Sequence, residues 1–431
     1  MKGPGSDGRN APPAGARHPS GGEARGRAGS AGGPVAGAAG GGPPGAGVYV
    51  HIPFCARRCG YCAFATWDDR SQLADDYVAA VRREVAAAVG SGLAPAATVF
   101  FGGGTPSRLT ARQLSSILEL VLRAPGAEVT AECNPEDAGA ALLHAWREAG
   151  VNRVSLGVQS MVPSVLASLG RYHSGGAVEG AVEALAGAGL GDSYSVDLIF
   201  GAVGESMGDW ERTLLAVLGL DPPPAHVSAY GLIAEPGTPL GSDPTRHPDP
   251  DDQAAKYELA DEVLESAGYS WYEISNWSRP GAACRHNQLY WSQGEYRGFG
   301  CAAHSHELLA DGRARRWWNV RTPERYLRSM LRGESPVGGG ELLDPATRAA
   351  ERIGLALRTV RGVDLADLPG GDELALLGEL GLVELVEAAE VAAAPGDPAA
   401  GPLGGSQRSR VRLTRRGRLL ASEVTLRLLG T

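Results

Sequence analysis

The chain has 431 residues, and its 40 Lys and Arg residues against 49 Asp and Glu residues give a formal net charge of −9. This length can hold roughly two or three domains, whereas the negative charge argues against a general grip on nucleic acid, which needs a basic surface. Six cysteines in so long a chain do not suggest a disulfide scaffold, and no apolar run approaches the roughly 20 residues of a membrane span.

Residues 1–47 consist largely of Gly, Ala, Pro, Ser and Arg. Such a segment cannot bury enough apolar surface to fold, so we predict that it is disordered. It lacks the apolar run of a secretory signal, and it is too rich in Gly and Pro to form the amphipathic helix of a transit peptide.

Three cysteines with C-x3-C-x2-C spacing follow a short strand-like run at residues 48–52, namely Cys55, Cys59 and Cys62. Three thiolates on one cubic iron–sulfur cluster would leave one iron open for chemistry. Zinc is the main alternative, although zinc favours paired C-x2-C knuckles or added histidines. An odd number of cysteines makes a disulfide a poorer explanation.

The three cysteines, together with Phe64 and the preceding residues 49–54, resemble the cluster loop of radical S-adenosylmethionine (SAM) enzymes in the coproporphyrinogen-dehydrogenase-like branch. The resemblance implies a 4Fe-4S cluster on Cys55, Cys59 and Cys62, with SAM bound to the open iron. It implies that one-electron reduction, by a partner such as flavodoxin or ferredoxin, cleaves SAM to a 5′-deoxyadenosyl radical. A cluster held by thiolates also implies a reducing compartment, so we expect a cytoplasmic protein.

Phe64 marks a departure from one member of that branch. The oxygen-independent coproporphyrinogen dehydrogenases carry a fourth cysteine two residues after the third, and Phe64 stands at that position here. Phenylalanine cannot replace a thiol. The sequence therefore resembles the sister group, the HemW-type haem chaperones.

Strand-like and helix-like runs alternate from residue 48 to about 235. Six such repeats predict a parallel sheet but are fewer than the eight of a closed barrel, and the resemblance implies an α/β fold with a partial (β/α)6 barrel. Thr110 and Gln113 have the spacing of a helix capping box. We predict strands at residues 48–52, 98–101, 128–133, 153–158, 194–200 and 226–232, and helices that begin near Asp75, Thr110, Asp137, Ser174 and Met207.

Glycines and polar residues follow the predicted strands, at the edge of the sheet where such barrels carry function. Each alone could be a plain turn or a solvated strand end, but their recurrence at successive strands favours a site. The resemblance implies that SAM contacts Tyr49, Tyr61, Gly103, Gly104, Thr105, Glu132, Gln159, Arg171 and Asp197.

We predict that residues 236–340 form an extension of the barrel. It begins with a loop to about 250 and a helix to about 266, and the remainder is rich in aromatic residues. The aromatic side chains predict either a core layer or a flat surface for a large planar ligand. The H-N-x-x-Y-W string that begins at His286 resembles the HemW haem-binding signature, which implies that His286 binds haem iron. A hydrogen-bonded core histidine is the alternative, and His304 and His306 are weaker ligand candidates.

Residues 341–431 predict a small winged-helix-like domain that acts as a lid or packing module. We expect helices at 345–359, 372–380 and 414–429, strands at 383–387 and 410–414, and an Ala/Pro/Gly-rich insert at 392–408. The predicted division is thus a tail (1–47), a partial barrel (48–235), its extension (236–340) and this C-terminal domain.

The resemblance implies a haem chaperone that binds haem, a 4Fe-4S cluster and SAM and delivers haem to haem-requiring acceptor proteins. The alternatives are an oxygen-independent coproporphyrinogen III oxidase and a radical SAM enzyme with a non-porphyrin substrate. We expect no nucleic-acid partner, because the chain is acidic. Peripheral contact with a membrane surface is left open.

Overall fold

The structure is a computed structural model that describes residues 45–368, 371–387 and 409–430. Most of the predicted tail and the predicted insert at 392–408 lie outside these described residues. The strands are β1 Gly47–Ile52, β2 Ala96–Gly103, β3 Arg123–Cys133, β4 Arg153–Gln159, β5 Tyr194–Phe200, β6 His226–Gly231, β7 Ser270–Glu273, β8 Asn276–Ser278, β9 Tyr296–Phe299, β10 His304–Leu308, β11 Ala314–Asn319, β12 Val337–Leu343, β13 Val363–Asp364, β14 Val383–Glu387 and β15 Ser409–Leu413.

The helices are α1 Ala74–Gly90, α2 Ala111–Leu118, α3 Ala140–Ala149, α4 Pro163–Ser168, α5 Gly175–Gly187, α6 Met207–Leu218, α7 Pro250–Ser266, α8 Arg285–Trp291, α9 Pro323–Leu331, α10 Pro345–Leu357, α11 Asp372–Glu379, α12 Arg415–Leu419 and α13 Ala421–Leu429. Among the described residues, none of these helices is both long and apolar enough to cross a membrane.

Strands β1 to β6 pair in sequence order and are all parallel. Helices α1, α2, α3, α5 and α6 connect them, as the alternation of apolar strands and amphipathic helices predicts. The predicted α/β fold with a partial (β/α)6 barrel is confirmed.

The sheet extends past both ends of the barrel in a way that the sequence did not predict. Strand β9 pairs in parallel with the free edge of β1, and β10, β11 and β12 follow it as antiparallel neighbours. At the other edge, β8 and β7 add antiparallel to β6. Within the described residues the result is one twelve-stranded sheet.

Local sequence signals correctly predicted where most helices begin. Two helix predictions were wrong, the start near Asp137 and the single last helix. Thr110 and Gln113 form the predicted capping box at α2. The helix predicted to begin near Asp137 is α3, which begins only at Ala140. It starts later because Pro135–Asp137 form a short 3-10 turn and Gly139 has an extended backbone. The single last helix predicted at 414–429 is two helices, interrupted at Leu420.

The two faces of the barrel sheet differ in chemistry because side chains alternate along each strand. On β2, Val99 and Phe101 are buried in the apolar core beneath the helices. Thr98 and Phe100 project from the opposite, inner face, and Glu132 on the neighbouring strand shares that face through the pairing of β2 with β3. Polar and aromatic side chains are therefore gathered on the inner face.

The last part of the chain forms a three-stranded antiparallel sheet, in the order β13-β15-β14, with its own cluster of buried apolar residues. Strands β14 and β15 match the predicted strands, whereas β13 was not predicted. Arg418 makes a two-bond ion pair with Asp261 of α7, at 3.0 and 2.8 Å, which fastens this part to the barrel. The predicted division into domains at 47, 235 and 340 remains a prediction.

Glu84 of α1 joins the barrel to its extension. Its buried carboxylate accepts hydrogen bonds from the backbone N–H of Gly300 (2.9 Å), from the Asn319 amide (2.8 Å) and from the Tyr326 hydroxyl (2.7 Å). Burial raises the pKa of Glu84, since the charged form is less well solvated than in water.

We expect Glu84→Ala to lower the free energy of unfolding by about 3 kcal/mol or more, because three buried donors lose their acceptor. Glu84→Gln keeps the shape and part of the bonding, so it should cost less. Urea denaturation of the three proteins measures the difference. Equal stability of wild type and Glu84→Ala would contradict this role.

Candidate cofactor site

The loop after β1 brings the three predicted ligand cysteines together. All three thiols are partly buried. Burial raises the pKa of Cys55, the hydroxyl of Thr105 at 3.7 Å from its Sγ partly offsets this, and the neighbouring Cys62 and Cys59 thiols raise it further. The N–H of Cys62 donates to the Cys59 carbonyl at 3.2 Å, so the second and third cysteines lie in one tight turn of the loop.

Backbone hydrogen bonds hold the loop in its shape. The N–H of Cys55 donates to the Trp67 carbonyl at 3.0 Å, and the N–H of Trp67 donates to the Pro53 carbonyl at 2.8 Å. Farther along, the N–H of Leu240 donates to the Gly60 carbonyl at 3.0 Å. Hydrogen bonds within the protein therefore fasten the loop at both sides.

The glycine-rich run after β2 lies directly beside the cysteine loop. The N–H groups of Gly104 and Thr105 donate to the Ile52 and Phe54 carbonyls at 2.7 and 2.9 Å. A side chain at Gly104 would place its Cβ 3.1 Å from the Cys55 sulfur and 2.8 Å from the Phe54 carbonyl oxygen. Only glycine fits this contact, as expected of a backbone that approaches a cofactor closely.

Gly103 has a φ of +112°, in the region that favours glycine. Its Cβ would lie 2.4 Å from the His51 ring, and its N–H donates to the Glu132 carboxylate at 3.1 Å. Burial raises the pKa of Glu132 to about 8, and the nearby Asp197 carboxylate contributes to the increase. A pair of carboxyl groups thus stands on the inner face beside the glycine-rich run.

The other predicted SAM contacts lie on β1 and β4 and in the segments that follow these two strands. Gln159, at the end of β4, has a positive φ of +63°, which is unusual for a residue with a side chain. Arg171 donates to the Asn134 side chain at 2.9 Å and to the Gly157 carbonyl at 3.1 Å. Tyr61 lies beside Cys59, and Tyr49 is hydrogen-bonded to the His51 ring at 3.1 Å.

The donor set fits a 4Fe-4S cluster better than a single ion. Within the described ranges, no three His, Cys, Asp or Glu side chains are placed to hold one metal ion together. In a cubic cluster each thiolate binds a different iron, so the sulfur atoms converge on the cluster and not on one atom. Three neighbouring thiols, next to glycines that leave space, meet that requirement.

His286 lies on the inner face, nearer to the amino ends of the strands. Its ring is buried, with Nδ1 2.8 Å from the Thr98 hydroxyl and Nε2 2.9 Å from the Tyr290 hydroxyl. It stacks on Phe100 at a centroid distance of 5.2 Å. Burial lowers the pKa of His286 to about 3, so the ring is neutral. Neither ring nitrogen can bind iron unless one of these hydrogen bonds breaks.

Sequence reasoning missed two residues that organise the site. His51 connects the glycine-rich run to the cysteine loop, through its contact with Gly103 and a 2.9 Å hydrogen bond to the Ala65 carbonyl. Its position between Tyr49 and Cys55 in the sequence was the available signal. Asn134 anchors Arg171, and nothing local in the sequence distinguishes it.

Comparisons with known proteins show which family and fold this chain resembles. Residues 49–217 match the Radical SAM superfamily. The chain is 40% identical over 401 residues to the heme chaperone HemW of Mycobacterium tuberculosis, covering 89% of this chain and 95% of that protein. It is 39% identical to the Synechocystis heme chaperone HemW, over 75% and 80% of the two chains. The solved structure of Escherichia coli coproporphyrinogen III oxidase (HemN) has the same fold, with a TM-score of 0.72 over 90% of both chains, at 20% identity.

The raised pKa of Glu132 predicts a dependence of stability on pH. The folded protein keeps this proton up to about pH 8, whereas a glutamate in the unfolded chain loses it near its ordinary pKa of 4.5. The contribution to stability is therefore present below pH 4.5 and is lost as the pH rises towards 8, at up to about 1.4 kcal/mol per pH unit.

Glu132→Gln imitates the neutral acid, so we expect its free energy of unfolding to decline less than that of the wild type between pH 5 and 8. Urea titrations at several pH values measure this, with the exposed Glu119→Gln as the control. Parallel pH profiles for wild type and Glu132→Gln would show that Glu132 titrates normally.

Proposed function

This chain belongs to the HemW family of the radical SAM superfamily, and on that premise we propose that it is a haem chaperone. It binds haem, a 4Fe-4S cluster and SAM, and it passes haem to haem-requiring acceptor proteins. The observation that carries the proposal is the 40% identity to a heme chaperone over 95% of that relative's length, which includes the extension and the C-terminal part as well as the barrel.

The inner face of the barrel supports the same proposal. Helix α8 lies against β2 there, and its His286 and Leu289 side chains are buried. Tyr290 lies close enough to Tyr49 and Glu132 for their charges to influence its pKa, which burial raises well above the usual value. The helix that carries the signature string thus lies near two of the proposed SAM contacts.

Cys55, Cys59 and Cys62 would hold the cluster, which supplies electrons to SAM when both are bound. Gly103, Gly104 and Thr105 would approach SAM through their backbone, and Glu132 would accept a hydrogen bond from its amino group. The proposed set of SAM contacts is completed by Tyr49, Tyr61, Gln159, Arg171 and Asp197.

The proposal also assigns partners and a compartment. A one-electron reductant such as flavodoxin or ferredoxin would reduce the cluster, and the haem acceptors would be haem-requiring proteins. Thiol-ligated clusters persist in reducing surroundings, so we place this function in the cytoplasm.

His286 is the proposed haem ligand from the signature, and the structure defines what its use requires. The Tyr290 hydroxyl is hydrogen-bonded to Nε2 of His286, so iron can bind that nitrogen only after this hydrogen bond breaks. The Thr98 hydroxyl is hydrogen-bonded to Nδ1 in the same way. Tyr290 therefore competes with haem for His286.

For the cluster, we expect anaerobic reconstitution to yield about four irons per chain. Replacing any of Cys55, Cys59 or Cys62 by Ala should abolish the cluster absorbance, because a ligand is lost. Cys284→Ala, at a buried cysteine elsewhere in the chain, is the matched control and should keep its iron. Bound zinc and no iron uptake after purification without oxygen would refute the cluster proposal.

For haem, we expect the wild type to bind it with a shifted Soret band and to transfer it to an apo-haem protein. Tyr290→Phe removes the competing hydroxyl and keeps the ring, so haem affinity should rise by about tenfold, the effect of one modest hydrogen bond. His286→Ala should lose the fully ligated spectrum while it keeps the iron–sulfur absorbance. Unchanged affinity in Tyr290→Phe would argue against ligation by His286.

The same preparations separate the chaperone from a coproporphyrinogen oxidase. Wild-type protein is supplied with coproporphyrinogen III, SAM and a reductant, and protoporphyrinogen IX is measured. We expect no turnover together with stable haem binding. Efficient decarboxylation without a stable haem complex would overturn the proposed function.

A further inference from the structure

A row of residues continues the inner face of the barrel across the sheet extension. Strand pairing places Tyr49 of β1 opposite Gly298 of β9, His304 of β10 opposite Trp318 of β11, and Trp318 opposite Gly339 of β12. The β1–β9 pair meets the strands β10 to β12 at Gly298, where a Cβ would lie 2.1 Å from the His304 carbonyl oxygen. We call these five residues the extension row.

The two glycines of the extension row contribute no side chains to this face of the sheet. A Cβ at Gly339 would lie 2.8 Å from the Trp318 ring, so the indole rests on the bare backbone of β12. At Gly298 the neighbouring strand comes too close for any side chain. Between Tyr49 and Gly339, His304 and Trp318 are therefore the members of the extension row that carry side chains.

His304 differs from the other two histidines of the aromatic segment. Its side chain is exposed and stacks on Trp318 with centroids 5.6 Å apart and an interplanar angle of 30°. Across the described part of the chain, no hydrogen-bonding group is placed against its ring nitrogens, whereas His306 is bonded through Nδ1 to the Gly294 carbonyl at 2.9 Å. The protein around the ring shields it partly from water, and this partial desolvation together with the nearby Arg316 lowers the pKa of His304, which favours the neutral form that binds metals.

The extension row also lies close to the proposed SAM site and to positive charge. His304 and the exposed Arg321 both lie near enough to His51 to lower its pKa further, beyond the effect of burial. His51 in turn contacts Gly103 of the glycine-rich run. A ligand with carboxylate arms would find a guanidinium here, at the mouth of the barrel.

We propose that haem first binds on the extension row, with the His304 imidazole as its iron ligand, before it reaches His286. This inference rests on the proposed haem-chaperone function. Trp318 holds the imidazole in place by stacking, and Arg321 pairs with a propionate. His304 needs no hydrogen bond to break, whereas His286 needs one, so the exposed ring is the faster site.

Stopped-flow mixing with ferric haem tests the proposal through the Soret band and the tryptophan fluorescence. We expect His304→Ala to slow association by about tenfold, and added free imidazole to restore the rate, which a purely structural role would not allow. Trp318→Phe should remove the early fluorescence quenching that the wild type shows. His247→Ala, at another exposed histidine, is the matched control and should behave as the wild type.

The outcomes are distinct for the two proposals. Haem binding with equal rates in wild type and His304→Ala, and early quenching that persists in Trp318→Phe, would overturn the entry site and leave the haem chaperone intact. A wild-type protein that binds no haem would overturn both. Iron–sulfur absorbance and circular dichroism of each variant establish that its fold is retained.

Discussion

The parallel pairing of β1 with strands on both of its sides is the constraint on which the structure depends. The carboxyl end of β1 meets the glycine-rich run of β2 on one side and the turn after β9 on the other. Tyr77 locks this junction, because its hydroxyl donates to the His51 carbonyl and accepts from the Cys301 N–H, both at 2.9 Å. Since the cysteine loop begins here, its position is set by three strands and one helix together.

That junction explains why the site is polar and yet well ordered. Buried carboxyl groups are costly unless they have partners, and Glu132 and Glu84 each accept backbone N–H groups from glycines at the strand ends. Glu132 faces the proposed SAM opening, and Glu84 lies on the other side of the sheet, where it fastens the extension. The same chemistry thus serves a ligand site in one place and stability in the other.

A haem chaperone must both hold haem and release it, and His286 and His304 suit these two demands differently. His286 is buried and has both ring nitrogens hydrogen-bonded, so the proposed ligation through Nε2 would require a rearrangement of Tyr290. His304 is exposed, and as the proposed entry ligand it would need no such rearrangement. An exposed ligand favours exchange, and a buried one favours retention, because solvent and acceptor proteins reach only the former.

The sequence alone determined the family, the three cysteines proposed as cluster ligands, the six parallel strands and most helix starts. Each depends on signals local in the chain, namely C-x3-C-x2-C spacing, alternating strand-like and helix-like runs, and caps such as Thr110. It also indicated the strand-end residues, since parallel strands end at one edge. Tertiary structure alone decided that β9 joins β1, that Tyr290 blocks His286, and that glycines far apart in sequence clear a row beside His304. Those features depend on contacts between distant segments, and no local pattern records which backbone or hydroxyl a side chain will meet.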